Sequence, residues 1–296
     1  VSGRGTYALL DSGGGRKLER VGEATLDRQA PAAFWAPRLP RAEWAKADAV
    51  HHRSETGGGH WEWRKKLPEA WEIEYGGLRV KIKPTSFGHL GVFAEQAEQW
   101  ARIRAGLAGP AGGASFSVLN LFAYTGGSTL AAAQAGAAVC HVDAAKGVVD
   151  WARENAGLNG LAERPVRWIV DDVGEFLRRE ERRGRKYDGA ILDPPSFGRG
   201  AKGQVWKIEE SVGELLDQIR RVLVPRPRLL LFSCHSPGFT PLVLRNLLAE
   251  RFDLDGAEVE AGEMSVAEAR GDRRLPAGAY VRVVDPAARP AASAGE

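Results

Sequence analysis

The chain has 296 residues, 44% of them hydrophobic and 27% charged, with a formal net charge of +3 and a pI near 8.9. This is the composition of folded globular material, enough for one large domain or two smaller ones. No apolar run approaches the roughly 20 residues of a membrane span, the opening VSGRGTYALLD has no signal-peptide core, and Cys140 and Cys234 form neither a metal-ligand cluster nor a disulfide framework, so a reducing cytoplasm is the expected setting.

The charge permits an RNA partner without demanding one. Basic residues cluster at Arg178, Arg179, Arg182, Arg183, Arg185 and Lys186, and again at Arg220, Arg221, Arg226 and Arg228. Glu180 and Glu181 interrupt the first cluster, so its plainer reading is a solvated helix face.

In chain order, residues 1–85 read as a β-rich module. Residues 7–10 make a strand candidate, 11–15 a turn, and 16–21 the returning strand. A stretch with Pro31, Trp35, Pro37, Pro40 and Trp44 follows, and Gly57-Gly58-Gly59 marks another turn. Residues 61–66, 71–75 and 78–83 are short strand candidates, the last two joined by a Gly76-Gly77 hairpin turn. Five of the nine tryptophans precede residue 72. Their size predicts that they fill a thin β core; the alternative is a platform on which bases stack. The His51-His52 pair is expected to face solvent. Residues 94–104 form a helix candidate, and 110–114 a Gly-rich linker.

Residues 118–143, VLNLFAYTGGSTLAAAQAGAAVCHVD, organise the remainder. The apolar run 118–122 reads as a buried strand. In Ala123-Tyr124-Thr125-Gly126-Gly127 the glycine pair lets the backbone turn tightly and a ligand approach. Residues 128–135 form an Ala-rich helix ended by Gly136, and 138–142 a second strand that stops at Asp143. Strand, Gly-rich turn, helix, strand and acid describe a nucleotide-binding βαβ half. The helix N-terminus offers free N–H groups, and an acid at the second strand's tip can accept hydrogen bonds from both ribose hydroxyls. The turn lacks the G-x-G-x-x-G spacing of a dinucleotide site and the G-K-[ST] of a P-loop.

The alternation continues: helix 147–155, turn 157–160, strand 166–170 ending at Asp171-Asp172, helix 174–183, and strand 187–192 ending at Asp193. Residues 197–206 are Gly-rich and basic, with the length of an active-site lid. Helix 211–222, strand 228–233 ending at Cys234, and helix 242–249 follow. This pattern predicts a mainly parallel sheet, closed by an antiparallel pair at 257–261 and 279–284. Residues 288–296, ARPAASAGE, read as a disordered tail.

The Gly-rich turn, Asp143, Asp172 and the stiff Asp193-Pro194-Pro195-Ser196-Phe197 turn, in that order, resemble a class I S-adenosylmethionine-dependent methyltransferase. Over 86–285, the succession NLFAYTGG, DAAKGVVDWARENAGLNG, VDD, YDGAILDPPSF and LLLFSCHS is similar to the large-subunit rRNA methyltransferases of the cytosine-carbon-5 type. It is closer still to relatives without a PUA domain, which open with a YxLLDSGxGRKLE-like stretch matched at 7–19. The resemblance implies an α/β fold: a Rossmann-like, seven-stranded class I methyltransferase sheet with a small N-terminal β-rich domain. The expected divisions are 1–85, 86–287 and a tail at 288–296. The resemblance further implies S-adenosyl-L-methionine as cofactor and RNA as partner, the ribosomal substrate being an analogy with better-known relatives.

In that family a G-F-[FY]-L-D-Q segment folds over the cofactor; GVFAEQ at 91–96 matches it, so that Phe93 and Gln96 carry over while Glu95 replaces the Asp. The expected cofactor residues are Phe93, Gln96, Asn120, Phe122, Tyr124, Thr125, Gly126, Gly127, Asp143, Asp172, Asp193 and Pro194. Asp172 occupies the place that often meets the adenine amino group. Phe122 is expected to be mostly core, and Tyr124 to lie beside the ligand.

The expected catalytic residues are Asp193, Cys234 and Phe197. Asp193 and Cys234 end neighbouring parallel strands, so their side chains are expected to meet over one cleft, where open α/β sheets bind ligands. A Cys234 thiolate would add to carbon 6 of a pyrimidine and make carbon 5 nucleophilic. Asp193 would hold ring nitrogen 3, and His235 or another basic residue would lower the thiol pKa. Against this, Ser196 stands where two-cysteine enzymes carry their second Cys, and a free Cys at a strand end is often simply buried. The alternative is methylation of an exocyclic base amine, held by the Asp-Pro-Pro turn with Phe197 stacking on the base, although Phe197 falls one residue late. A protein or small-molecule substrate, or a non-catalytic cofactor-binding module, remains open. Metal catalysis is not expected, since no His/Asp/Glu set has ligand spacing.

Overall fold

The computed structural model describes residues 5–54, 58–108, 115–199 and 205–290. The linker at 110–114, Gly57, residues 200–204 of the expected lid and the tail from 291 lie outside the described residues. The chain forms two compact units, Val1–Ala97 with Met264–Ala277, and Glu98–Glu263 with Gly278–Glu296. In this division residues 86–97 go with the first unit, and a later segment, Met264–Ala277, returns to it.

The first unit contains β1 (Tyr7–Gly13), β2 (Arg16–Val21), β3 (Ala24–Gln29), the short α1 (Arg41–Trp44), β4 (Ala49–Arg53) and β5 (Gly59–Trp63), paired in that order as one sheet. The hairpin β6 (Trp71–Tyr75) and β7 (Leu78–Ile82) turns at Gly76 and Gly77, both left-handed. Apolar residues Leu9, Val21, Leu26, Ile73, Leu78 and Ile82 are fully buried.

β1 runs three residues past its expected end because Asp11 and Ser12 are satisfied inside the fold. The Asp11 carboxylate accepts from the backbone N–H of Arg38 and Leu39 and from Trp44 Nε1, while Ser12 Oγ donates to Glu268. Glu19 is likewise buried; desolvation pushes its pKa up, but Arg28 and Lys17 pull harder and lower it to about 2. Strands β3 and β4 were not expected, since buried polar partners hide their alternation.

The tryptophans do not fill this core. Trp35, Trp61 and Trp71 are half-buried at its margin, their indole N–H groups donating to the carbonyls of Ser12, Thr85 and Val21 at 2.8, 2.8 and 3.0 Å. His51, expected in solvent, is buried with Nε2 3.1 Å from the Ser86 carbonyl; His52 is exposed. A 3-10 turn, Ala94–Gln96, leads to α2 (Ala97–Leu107).

The second unit alternates β8 (Ser117–Leu121), α3 (Gly127–Gln134), β9 (Ala138–Asp143), α4 (Lys146–Leu158), β10 (Val166–Val170), α5 (Val173–Arg182) and β11 (Gly189–Leu192). The small hairpin β12 (Phe197–Arg199) and β13 (Val205–Lys207) precedes α6 (Ile208–Val222), β14 (Leu229–Cys234), α7 (Pro241–Ala249), β15 (Glu258–Ala267) and β16 (Arg274–Val284). The sheet order is β10-β9-β8-β11-β14-β16-β15. Strands β10, β9, β8, β11 and β14 are parallel, and β16 is antiparallel to β14. Such strands are buried on both faces, which is why β11 (GAIL) and β14 (LLLFSC) are wholly buried. Chain order reverses between β8 and β11, the switch point beside which open α/β sheets bind ligands.

A candidate active site at the carboxyl edge of the sheet

Register aligns the strand ends. Leu121 pairs with Val142 and with Leu192, and Leu192 with Phe232. The next residues, Phe122, Asp143, Asp193 and Ser233, therefore form one row at the carboxyl edge.

On the β8–β9 side, the backbone is bent into rarely used conformations. Phe122 and Tyr124 have φ of 54° and 50°, and Gly126 has 91°. A left-handed non-glycine residue costs energy that the surroundings must offset. Part of the offset comes from Asp143, whose carboxylate accepts from Tyr124 N at 2.9 Å and from Ala145 N at 3.0 Å. Asn155 Nδ2 donates to the Thr125 carbonyl at 2.9 Å. The glycine pair serves this packing: a Cβ on Gly127 would stand 2.6 Å from the Trp100 ring, and one on Gly126 3.1 Å from Ala152. Tyr124 is half-buried, its ring 6.4 Å from that of Trp151. Asn120 is buried, its amide donating to Thr129 Oγ1 at 2.8 Å, and Thr129 in turn meets His141 Nδ1 at 2.9 Å. Asp172 is exposed and caps α5, accepting from Glu175 N.

On the β11–β14 side, Asp193 is half-exposed, and its Oδ2 lies 3.3 Å from His235 Nε2. Pro194 is buried beneath the turn. Ser236 Oγ donates to Ser196 Oγ at 2.6 Å, and Trp206 Nε1 donates to the Pro195 carbonyl at 2.6 Å. Trp206 also approaches Phe122, ring centroids 5.6 Å apart, across the switch point. Phe197 is 54% exposed. Sequence reasoning missed the Trp206 and Ser236 bonds, since nothing local marks which carbonyl or hydroxyl a loop side chain will reach.

Cys234 lies near Asp193 but is buried. β14 keeps pairing with β16 as far as Cys234–Ala279, one residue beyond the Asp193 row. The side chain then alternates with Leu230 and Phe232 into the apolar core under α6 and α7, and only 1% of it is exposed. Burial raises the thiol pKa; the bond that Sγ accepts from Ser236 N at 3.4 Å works the other way, and the nearby Asp193 charge adds to the rise. His235, expected to activate this thiol, faces Asp193 instead. Cys140 is buried mid-strand, its pKa raised to about 11 by burial.

Phe93 and Gln96 belong to the first unit. Phe93 leads into the 3-10 turn with its ring 5.4 Å from His89, and Gln96 is buried. Among the described residues no group of three or more His, Cys, Asp or Glu is placed to hold a metal, and no helix is long and apolar enough to cross a membrane.

The donor set of the edge suits an adenosyl ligand. Each Asp143 oxygen takes one backbone N–H and keeps a second lone pair for a hydroxyl. The half-exposed Tyr124 ring supplies an apolar wall, and the Gly126-Gly127 turn leaves the α3 N-terminus without a side-chain cap. A seven-stranded sheet with this switch point and this edge defines a Rossmann-like methyltransferase. The chain belongs to the S-adenosylmethionine-dependent methyltransferase family, whose profile matches residues 20–254. It is an enzyme with S-adenosyl-L-methionine as its cofactor.

A crystal structure of a SAM-dependent methyltransferase from Agrobacterium tumefaciens is 37% identical and superposes with a TM-score of 0.88, over 96% of this chain and 92% of that one. The ribosomal RNA large subunit methyltransferase K/L of Pseudomonas paraeruginosa is 31% identical over 185 residues, 61% of this chain and 24% of its own length. The ribosomal RNA large subunit methyltransferase I of Aeromonas salmonicida is 37% identical over 118 residues, 40% of this chain and 30% of its own length. The chain thus spans about a quarter to a third of these curated relatives.

Proposed function

We propose that this enzyme methylates a base of large-subunit ribosomal RNA, at an exocyclic nitrogen held by the Asp193 turn. The names of the two curated relatives support the RNA class. The observation that carries the chemistry is the contrast between Asp193, half-exposed beside His235, and Cys234, withdrawn into the core.

S-adenosylmethionine supplies an electrophilic methyl group on its sulfonium. In this reading Asp143 accepts the ribose hydroxyls, the turn Tyr124-Thr125-Gly126-Gly127 walls the cofactor, and Phe122 and Pro194 shape the floor between cofactor and base. Asp172 stands at the adenine end, and Phe93 and Gln96 are assigned to the covering segment by resemblance. Asp193 accepts an N–H of the amine and orients its lone pair. It then takes the proton the nitrogen must lose on gaining the methyl, and His235 passes that proton to solvent. Phe197, exposed at the end of the turn, stacks on the base. Carbon-5 methylation through a Cys234 thiolate is the weaker reading, because a thiol in an apolar core resists ionisation.

The test is methyl transfer from labelled cofactor to ribosomes or rRNA from a strain lacking the gene, followed by mass spectrometry of the nucleosides. An N-methylated base absent from the deletion strain and restored by the protein is expected. Restoration of 5-methylcytidine would overturn the nitrogen target, and labelling of protein alone would overturn the RNA substrate.

A further inference from the structure

The first unit carries a feature that methyl transfer does not use. β5 is the outer strand of its five-stranded sheet. Trp61 and Trp63 project from the same face of that strand and stack with centroids 5.4 Å apart at 25°. Trp61 is fixed from behind: its indole donates to the Thr85 carbonyl, and His51 meets its ring edge-on at 5.1 Å. His51 is itself pinned by the Ser86 carbonyl, which can only accept, so Nε2 carries the hydrogen. Burial lowers the His51 pKa and keeps the ring neutral.

The turn that supplies both carbonyls is closed by a bond from Gly88 N to Thr85 O, and Gly88 lies at φ 78°, where a Cβ would stand 2.7 Å from His51. This rigid underside leaves Trp63 48% exposed and Phe87 66% exposed. Phe87 lies beside the start of β5, 3.7 Å from where a Gly58 Cβ would be. An exposed tryptophan held flat on a second indole is a preorganised stacking surface, because little rotamer freedom is left to lose.

Cations outnumber carboxylates around it. Arg53, Arg64, Lys65 and Lys66 are exposed; Glu62 pairs with Arg64, and the half-buried Asp48 lies 3.6 Å from Lys65. Among the described residues, no carboxylate pairs with Arg53 or Lys66. Aromatic faces interleaved with unmatched cations fit a polyanion with flat bases. Lys65 and Lys66 tell against a protein partner, since protein interfaces are depleted in lysine.

We propose that Trp63 and Phe87, with Arg53 and Lys66, form a binding surface for single-stranded RNA, on which a base stacks against Trp63 while the cations meet the flanking phosphates. The inference rests on the RNA reading above and assigns this surface of the first unit to substrate binding.

The test uses the full chain and a fluorescein-labelled single-stranded RNA of about 12 nucleotides, within the site sizes of such surfaces, with a duplex of the same sequence as control. Trp63→Ala should weaken single-strand binding about tenfold, the loss of one stacked base. Trp63→Phe should restore most of it, and S-adenosylhomocysteine affinity and melting temperature should stay at wild-type values. Arg53→Ala with Lys66→Ala should flatten the dependence of affinity on salt, since released counterions set that slope. Ultraviolet crosslinking should place nucleotide adducts on the peptide holding Trp63 or Phe87. Wild-type RNA affinity in a folded Trp63→Ala variant would overturn this surface while leaving the RNA reading intact, and is also what a protein partner there would give. Wild-type protein that binds neither the oligonucleotide nor rRNA would overturn both.

Discussion

The two halves of the sheet's carboxyl edge are built differently. Around β8 and β9, a carboxylate fixes the backbone: Asp143 holds Tyr124 and Ala145, and two non-glycine residues are kept left-handed. Around β11 and β14, loop side chains reach partners across the turn: His235 to Asp193, Ser236 to Ser196, Trp206 to the Pro195 carbonyl, with Phe197 exposed. A backbone mould suits a ligand that never changes, such as the cofactor. Side-chain bonds can rearrange as a base enters. In the reading proposed above, the edge is stiff where the ligand is constant and adaptable where the substrate must be admitted and released.

Removing the acid of the adaptable half should have the largest effect. Asp193→Ala should lower kcat by about 100-fold to 10,000-fold, the usual range for loss of a positioned acid or base. Cofactor affinity, measured by calorimetry, should stay within about threefold of wild type if the two halves act separately, a factor of ten being 1.4 kcal/mol. A cofactor affinity that collapses with kcat would erase the distinction.

Its counterpart is Asp143→Ala. The change leaves ribose hydroxyls and two backbone N–H groups without their acceptor, so S-adenosylhomocysteine binding should weaken by about 1–3 kcal/mol. The maximal rate at saturating cofactor should change far less. A loss confined to kcat, with cofactor binding intact, would reverse the assignment of the halves.

Beneath the stiff half, Asn120, Thr129 and His141 form a buried chain of hydrogen bonds. Asn120 donates to the Thr129 hydroxyl, which lies 2.9 Å from His141 Nδ1. Burial, with some help from Arg153, lowers its pKa to about 3. An unfolded His titrates near 6.5, so the folded state binds the proton less well. The stabilising effect is complete above that pH and is lost as pH falls towards the folded value. At pH 5 the loss is about 2 kcal/mol. Urea unfolding should show this decline between roughly pH 7 and 5 in the wild type and a flatter profile in His141→Gln. Equal slopes in the two proteins would mean that His141 is not held neutral.

The stiff half was also the more legible. Its strands are continuous apolar runs with glycine or an acid at their ends, so Asp143 and the Gly126-Gly127 turn could be placed from local pattern. So could Asp193, because Pro194 and Pro195 stop β11 immediately after it. The first unit was harder to read. Asp11 and Ser12 look like a turn, yet they lie inside β1 because Arg38, Leu39, Trp44 and Glu268 satisfy them from 27 or more residues away. The depth of Cys234 was hidden for the same kind of reason: it depends on Ala279, a strand partner that no local window contains.

Cys234 therefore gives the smallest expected effect and the sharpest test of the comparison. Its thiol is buried on the core face of β14 with Phe232 and Leu230, under the helices, with a raised pKa. Cys234→Ala removes one buried sulfur and should cost about 1 kcal/mol of stability, as small core truncations do. Methyl transfer to RNA should remain within about twofold of wild type, because no covalent step passes through sulfur in the nitrogen mechanism. RNA carrying 5-fluorocytosine should likewise form no stable adduct with the wild-type enzyme. A thiolate mechanism predicts the opposite on both counts: a trapped adduct, and an alanine variant that binds cofactor normally but is inactive. That pair of results would place the reacting group on the core face of β14 and require the core around Cys234 to open during turnover. Phe197→Ala separates the two mechanisms from the other side, since loss of an exposed stacking ring should slow methylation more than loss of the buried thiol.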